Sequence, residues 1–233
     1  MLYAARECAR VVLEEGLEKG FARHELTSRA LRAGLVASLA RPGGNLTGVT
    51  LHAPELTGKR LELLKLVLPG ARRVGVLAWP RAGAQVRAAE GAARALGLEP
   101  HVVEVEGSSQ YDGALSALKR EGADALLMLF SSAFFGERQR IADLAVKHRL
   151  PLVAPFREVA DAGGLMSYGP NVIELWEQRV PVYVDRLLKG AQPGDLPIER
   201  PSKIELVVNL KTSKALGLTI PQSILLRADE VIR

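Results

Sequence analysis

Several residues in this chain have the chemistry to hold a small molecule. The loop RPGGNLTGVT, residues 41–50, sets Asn45 and Thr47 beside glycines that let backbone amides approach a ligand. Further along, Trp79 and Phe156 could sandwich an apolar or aromatic body, Ser131 and Ser132 offer hydroxyls, and Arg157 could neutralise a carboxylate. Each has a plain alternative. Pro-Gly-Gly-Asn is what a turn requires, Trp79 and Phe156 can cap a sheet edge as core residues, and Arg157 can pair with Glu158 or a helix end. The convergence of the five later residues on one sheet edge favours a pocket.

Chemistry of other kinds has little support. There is no phosphate loop with a lysine, no GxGxxG after a strand, no GxSxG and no HExxH. Cys8 is the only cysteine, and His24, His52, His101 and His148 lie far apart, so neither a disulfide nor a metal site is expected. No cofactor is expected either. The net charge of +5 comes from 31 basic and 26 acidic residues that are well mixed, without the basic block of a nucleic-acid arm. The first 20 residues carry acidic side chains from Glu7 onward and no long apolar core, so they read as neither a signal peptide nor a membrane span. Taken as the true start, they place the chain in the cytoplasm.

The elements that must position those residues follow from periodicity. Residues 3–20 and 28–40 predict helices, the second capped by Ser28 and stopped at Pro42. Residues 46–51 predict a strand. Residues 53–70 predict a helix with Pro54 in its first turn and Leu61, Leu64 and Leu68 on one face. Near-continuous apolar runs at 73–79, 100–106, 123–130 and 150–156 then alternate with helical patterns at 82–97, 109–122 and 136–149. Strands buried on both faces need no polar alternation, so this rhythm predicts a doubly wound parallel sheet. Ligands of such sheets bind beyond the carboxyl ends of the strands, where Trp79, Ser131, Ser132, Phe156 and Arg157 fall. After a Gly-Gly turn, residues 172–190 predict one long helix kinked at Pro181. A Pro-rich connector, a strand at 204–209 and two short helices, the last over 220–232, complete the chain.

Longer stretches carry a resemblance. GLVASLARPGGNLTGVT with APELTGKRLELLKLVLPGARRVGVL, then PFREVADAGGLMSYGP, then VVNLKTSKALGLTIPQSILLRADEVI, resemble the substrate-binding proteins of ABC transporters, the group associated with tryptophan/tyrosine-type uptake. The similarity runs from about residue 33 to the end. It implies a periplasmic-binding-protein type I-like fold, with two α/β lobes closing on a small solute that is passed to permease subunits. It assigns 1–70 to N-terminal helices and the remnant of a first lobe, 71–162 to a Rossmann-like second lobe, and 163–233 to crossover helix, hinge strand and C-terminal helices. By the same resemblance Asn45 and Thr47 edge the first lobe, Trp79, Ser131, Phe156 and Arg157 edge the second, and Tyr168 lies near the hinge.

The resemblance also implies a periplasmic location and an export signal. This chain shows no such signal, and RHELTSRALRA stands where the family has an apolar strand ending in Asp-Pro. The expectation is an N-terminally truncated chain, with an incomplete lobe and impaired solute binding. Two alternatives stand beside it: a Rossmann-like enzyme acting at the same sheet edge, and a non-binding remnant that only folds or forms a homodimer through exposed sheet edge and apolar surface.

Overall fold

The computed structural model describes residues 37–50, 55–80, 82–201 and 203–233. The expected helix at 3–20, residues 28–36 of the second helix, Leu51, Pro54 and Arg81 lie outside the described residues. The chain divides into two compact units. The smaller draws on Met1–His52 and Pro170–Lys203, and the larger comprises Ala53–Gly169 and Ile204–Arg233.

In the larger unit, β2 (Arg73–Ala78), β3 (Glu99–Glu104), β4 (Ala125–Met128), β5 (Leu152–Ala154) and β6 (Met166–Pro170, whose last residue belongs to the smaller unit) form a sheet. β8 (Ile204–Asn209) and β9 (Glu230–Ile232) complete it. The strand order is β3-β2-β4-β5-β6-β8-β9. The β2–β3, β2–β4, β4–β5, β5–β6 and β8–β9 pairs are parallel. The four apolar runs read as strands are all present, and β2 and β4 are buried from Val74 and Ala125 onward. Near-continuous hydrophobicity is therefore the mark of burial on both faces.

Helices form the crossovers: α1 (Glu55–Val67), α2 (Gly83–Ala95), α3 (Tyr111–Arg120), α4 (Ser132–Gly136), α5 (Arg138–Lys147) and α6 (Arg157–Asp161). α1 buries Leu61 and Leu64 completely in the same core as Val74, Val76, Leu127 and Val208. Each such leucine contributes about 1.5–3 kcal/mol. That burial is why α1 belongs with the sheet and not with the first 70 residues as expected. The C-terminal segment likewise joins the sheet through β8 and β9, so the boundaries fall at 52/53, 169/170 and 203/204 rather than at 70/71 and 162/163.

Three expectations on elements need correction. The helix expected at 136–149 begins at Ser132 and divides into α4 and α5. The last helix expected over 220–232 is only α10 (Gln222–Leu225), and Glu230–Ile232 instead forms β9. Asp229 makes that turn, since its carboxylate accepts from the Leu206 amide at 2.8 Å while its own amide donates to the Leu206 carbonyl at 2.9 Å. Residues 37–40 are not helical, because Ser38 Oγ accepts the Arg41 amide at 3.0 Å and competes with the helical ladder.

The smaller unit pairs β1 (Gly48–Val49) with β7 (Ile198–Glu199) in parallel. It also holds α7 (Val172–Gln178) and α8 (Val180–Leu188). The single kinked helix expected here is two helices that meet at Arg179. Pro181 sits in the first turn of α8, where its missing N–H breaks no hydrogen bond. The Tyr183 hydroxyl donates to the Pro197 carbonyl at 2.5 Å, and Leu39 and Leu46 pack on Ile198. Helix α9 (Leu210–Leu216) follows β8 in the larger unit. Among the described residues no helix is long and apolar enough to cross a membrane.

Candidate functional site

The loop at 41–50 is built as a turn. Gly43 and Gly44 both take φ +68°, a left-handed conformation that glycine adopts without a Cβ penalty. Pro42 is buried, and the Gly43 amide donates to the Gly194 carbonyl at 3.2 Å. The Thr47 hydroxyl donates to the Leu196 carbonyl at 2.8 Å, so its proton is committed to tying β1 to the segment before β7. Thr47 is thus a fastener of this unit rather than an available donor. Asn45 is exposed at the tip.

In the larger unit, the strand order reverses between β2 and β4: the chain runs from β2 outward to β3, then crosses back to the far side of β2. Loops at such a reversal diverge and leave a crevice beyond the strand ends, the usual ligand position in open parallel sheets. The β2 loop carries Trp79 and the β4 loop carries Ser131 and Ser132, all half-buried. Trp79 meets Phe134 of α4 edge to face, with centroids 5.9 Å apart, which braces the indole without burying it. Gln85 of α2 clamps the start of the β4 loop, its Oε1 accepting from the Phe130 amide at 3.1 Å and its Nε2 donating to the Phe130 carbonyl at 3.3 Å. The structure therefore brings Trp79, Ser131 and Ser132 to the two loops that flank this reversal.

Phe156 and Arg157 do not join them as free contacts. Phe156 has no exposed surface and lies between Phe130 (5.1 Å) and Phe135 (5.2 Å), as a core residue. The Arg157 guanidinium bonds Glu205 at 3.3 Å and Glu230, with Asp161 at 3.9 Å. Against the lowering effect of desolvation, those carboxylates, Glu230 above all, hold its pKa above the ordinary arginine value. Its charge is spent within the fold, on partners other than Glu158. Glu158 itself keeps both carboxylate oxygens buried without a hydrogen-bond partner, and burial pushes its pKa up.

Tyr168 is half-buried in β6, and its carbonyl accepts from Arg60 Nε at 2.7 Å. At the next residue, a Cβ on Gly169 would collide with the Pro155 carbonyl, so only glycine lets the ends of β5 and β6 approach this closely. Arg60 and Gln85 are polar residues at this edge that the sequence reading did not single out. A signal for Arg60 exists, because Thr57, Arg60, Leu64 and Val67 recur at spacings of three, four and three along α1. All four are buried, so a cation stands within the helix's apolar stripe. Among the described residues, no group of three or more His, Cys, Asp or Glu side chains could hold a metal ion.

Comparison with known proteins supplies an independent line. The sequence model of a family described as ABC transporter substrate binding protein matches residues 26–232. A tyrosine-binding protein of Clostridioides difficile is 26% identical over 191 residues, covering 81% of this chain and 54% of that protein. Thus the chain spans about half the length of this curated relative. Among solved structures, an ABC domain in complex with L-Trp from Streptococcus pneumonia superposes with a TM-score of 0.77 at 26% identity, covering 87% of this chain and 70% of that one. A conserved domain protein of Vibrio cholerae gives a TM-score of 0.79 at 24% identity, with 87% and 68% covered, and shares the fold.

Proposed function

From the premise that the chain belongs to the ABC transporter substrate binding protein family, we propose that it binds an amino acid with an aromatic side chain and delivers it to ABC permease subunits outside the cytoplasmic membrane. It acts as a binder, without turnover. The observation that carries this reading is the strand-order reversal at β2/β4, flanked by the indole of Trp79 and the hydroxyls of Ser131 and Ser132. An aromatic solute body can stack against an indole that Phe134 braces, and serine hydroxyls can fix its polar end. The relatives that bind tyrosine and tryptophan support the choice of solute class.

Isothermal titration of the protein with L-tryptophan, L-tyrosine and branched amino acids tests the reading. Saturable binding of an aromatic amino acid, weakened by Trp79→Ala and without product formation, is the expected result. Turnover lost on changing Ser131 would return the enzyme reading, and no binding by any of the panel would overturn the solute class. Micromolar binding by the 233-residue chain alone would also overturn the expectation that it is impaired.

A further inference from the structure

Arg60 is a buried arginine of α1 to which the fold brings no counter-charge among the described residues. The residue is 5% exposed, yet no carboxylate of a described residue pairs with it. Its acceptors are neutral: the Tyr168 carbonyl at 2.7 Å from Nε, and the Thr57 hydroxyl at 3.5 Å from Nη1. A buried cation held only by neutral acceptors is costly unless an anion completes it. Elsewhere in this unit the fold supplies one: Arg157 receives Glu205 and Glu230, and Arg73 receives Glu99. Arg60 receives none, and burial pulls its pKa down to about 10.

Part of the fork is unclaimed by the fold. Among the described residues, the buried side-chain polar atoms without a partner are His101 Nε2 and the two Glu158 oxygens. Arg60 Nη2 has no acceptor among the described residues, which leaves donor capacity on the guanidinium that the fold does not use. Its place is set by main chain: Tyr168 lies near the carboxyl end of β6, beside the end of β5 that Gly169 brings close. A guanidinium fixed at Nε beside the carboxyl end of β6, with Nη2 unclaimed by any described residue, carries the planar donor set that matches a carboxylate.

We infer that Arg60 is the residue of this unit that takes the carboxylate of the bound solute, and so selects a free amino acid over its neutral-ended derivatives. The inference rests on the solute reading above and adds the group that recognises the anionic end. The tie to Tyr168 pre-orients the fork, so the solute does not have to order it.

The test, run at about pH 6 so that the α-amine stays protonated, compares L-tryptophan and L-tyrosine with their amides, which then keep the ring and the ammonium and lose only the carboxylate charge. For the parent protein, the amide is expected to bind about 10- to 100-fold more weakly, the range of a hydrogen bond between charged groups. In Arg60→Gln that preference should fall below about threefold, and Arg60→Lys, which keeps charge without the planar fork, should restore part of it. Circular dichroism establishes that the variants fold. Equal binding of acid and amide by the parent overturns the inference whether or not any variant folds, and so does a folded Arg60→Gln that keeps the parent's preference. Binding of neither amino acid by the parent overturns the solute reading instead, which separates the two failures.

Discussion

Replacing Arg157 by Met removes a guanidinium that bridges three acidic residues while keeping an unbranched apolar stem. The loss can be apportioned by exposure. Glu205 has a side chain only 7% exposed, and Arg157 is 26% exposed. Breaking a buried pair by removing one partner costs about 3–5 kcal/mol, and the partial exposure of the arginine lowers this to about 2–3 kcal/mol by solvent screening. Glu230 and Asp161 are 46% and 47% exposed, and such pairs contribute about 0–1 kcal/mol each. A total of about 2–5 kcal/mol corresponds to a fall in Tm of about 4–20 °C for a chain of this size. Urea unfolding followed by circular dichroism measures the stability, and a cycle with Glu205→Gln isolates the pair, which should couple by at least about 1 kcal/mol. Solute affinity per folded molecule should be unchanged. A stability loss under about 0.5 kcal/mol would mean that these ion pairs do not hold the fold, and a loss of affinity at parental stability would make Arg157 a ligand contact.

Asn209 caps α9 by accepting the Thr212 amide at 3.0 Å and donates to the Ala160 carbonyl at 2.8 Å, so Asn209→Ala should lower stability by about 2–3 kcal/mol in urea titration. Glu158 has a folded pKa raised by burial, so the stability it confers is present below the ordinary glutamate pKa and is lost as pH rises through the folded value. Glu158→Gln should therefore unfold at higher urea than the parent at neutral pH, with the gap closing on acidification. Gln85→Ala removes both bonds to the Phe130 backbone and should cost about 1–2 kcal/mol. Hydrogen exchange should locate the loosening at residues 130–132.

The parallel sheet was legible because its central strands β2, β4 and β5 are buried along nearly their whole length. The runs around Val74–Ala78 and Ala125–Met128 offer few polar positions to a competing pattern, and the helices between them stop at glycine signals such as Gly97, which takes φ +68°. Legibility failed where long-range pairing decides the outcome. Glu230–Ile232 has too few residues to show a period of two, and it becomes a strand only because β8 presents an edge to it. The expected helix over 172–190 was right in composition and wrong in continuity, since a proline can kink a helix or start one, and the chain uses Pro181 to start α8.

The two arginines show why a site is harder to read than a fold. Arg157 follows a strand directly, which is where ligand contacts are sought, but its partners Glu205 and Glu230 lie 48 and 73 residues away and neutralise it. Arg60 lies in a helix that reads as ordinary amphipathic surface, and its fixed contact is a main-chain carbonyl 108 residues away, which no side-chain pattern announces. Sequence position locates a cation relative to a strand end, whereas the acids that fold around it decide whether its charge is available. Here they converge on Arg157, the arginine in the expected place. Among the described residues no acid reaches Arg60, and the carboxylate of the solute is inferred to supply the charge it lacks.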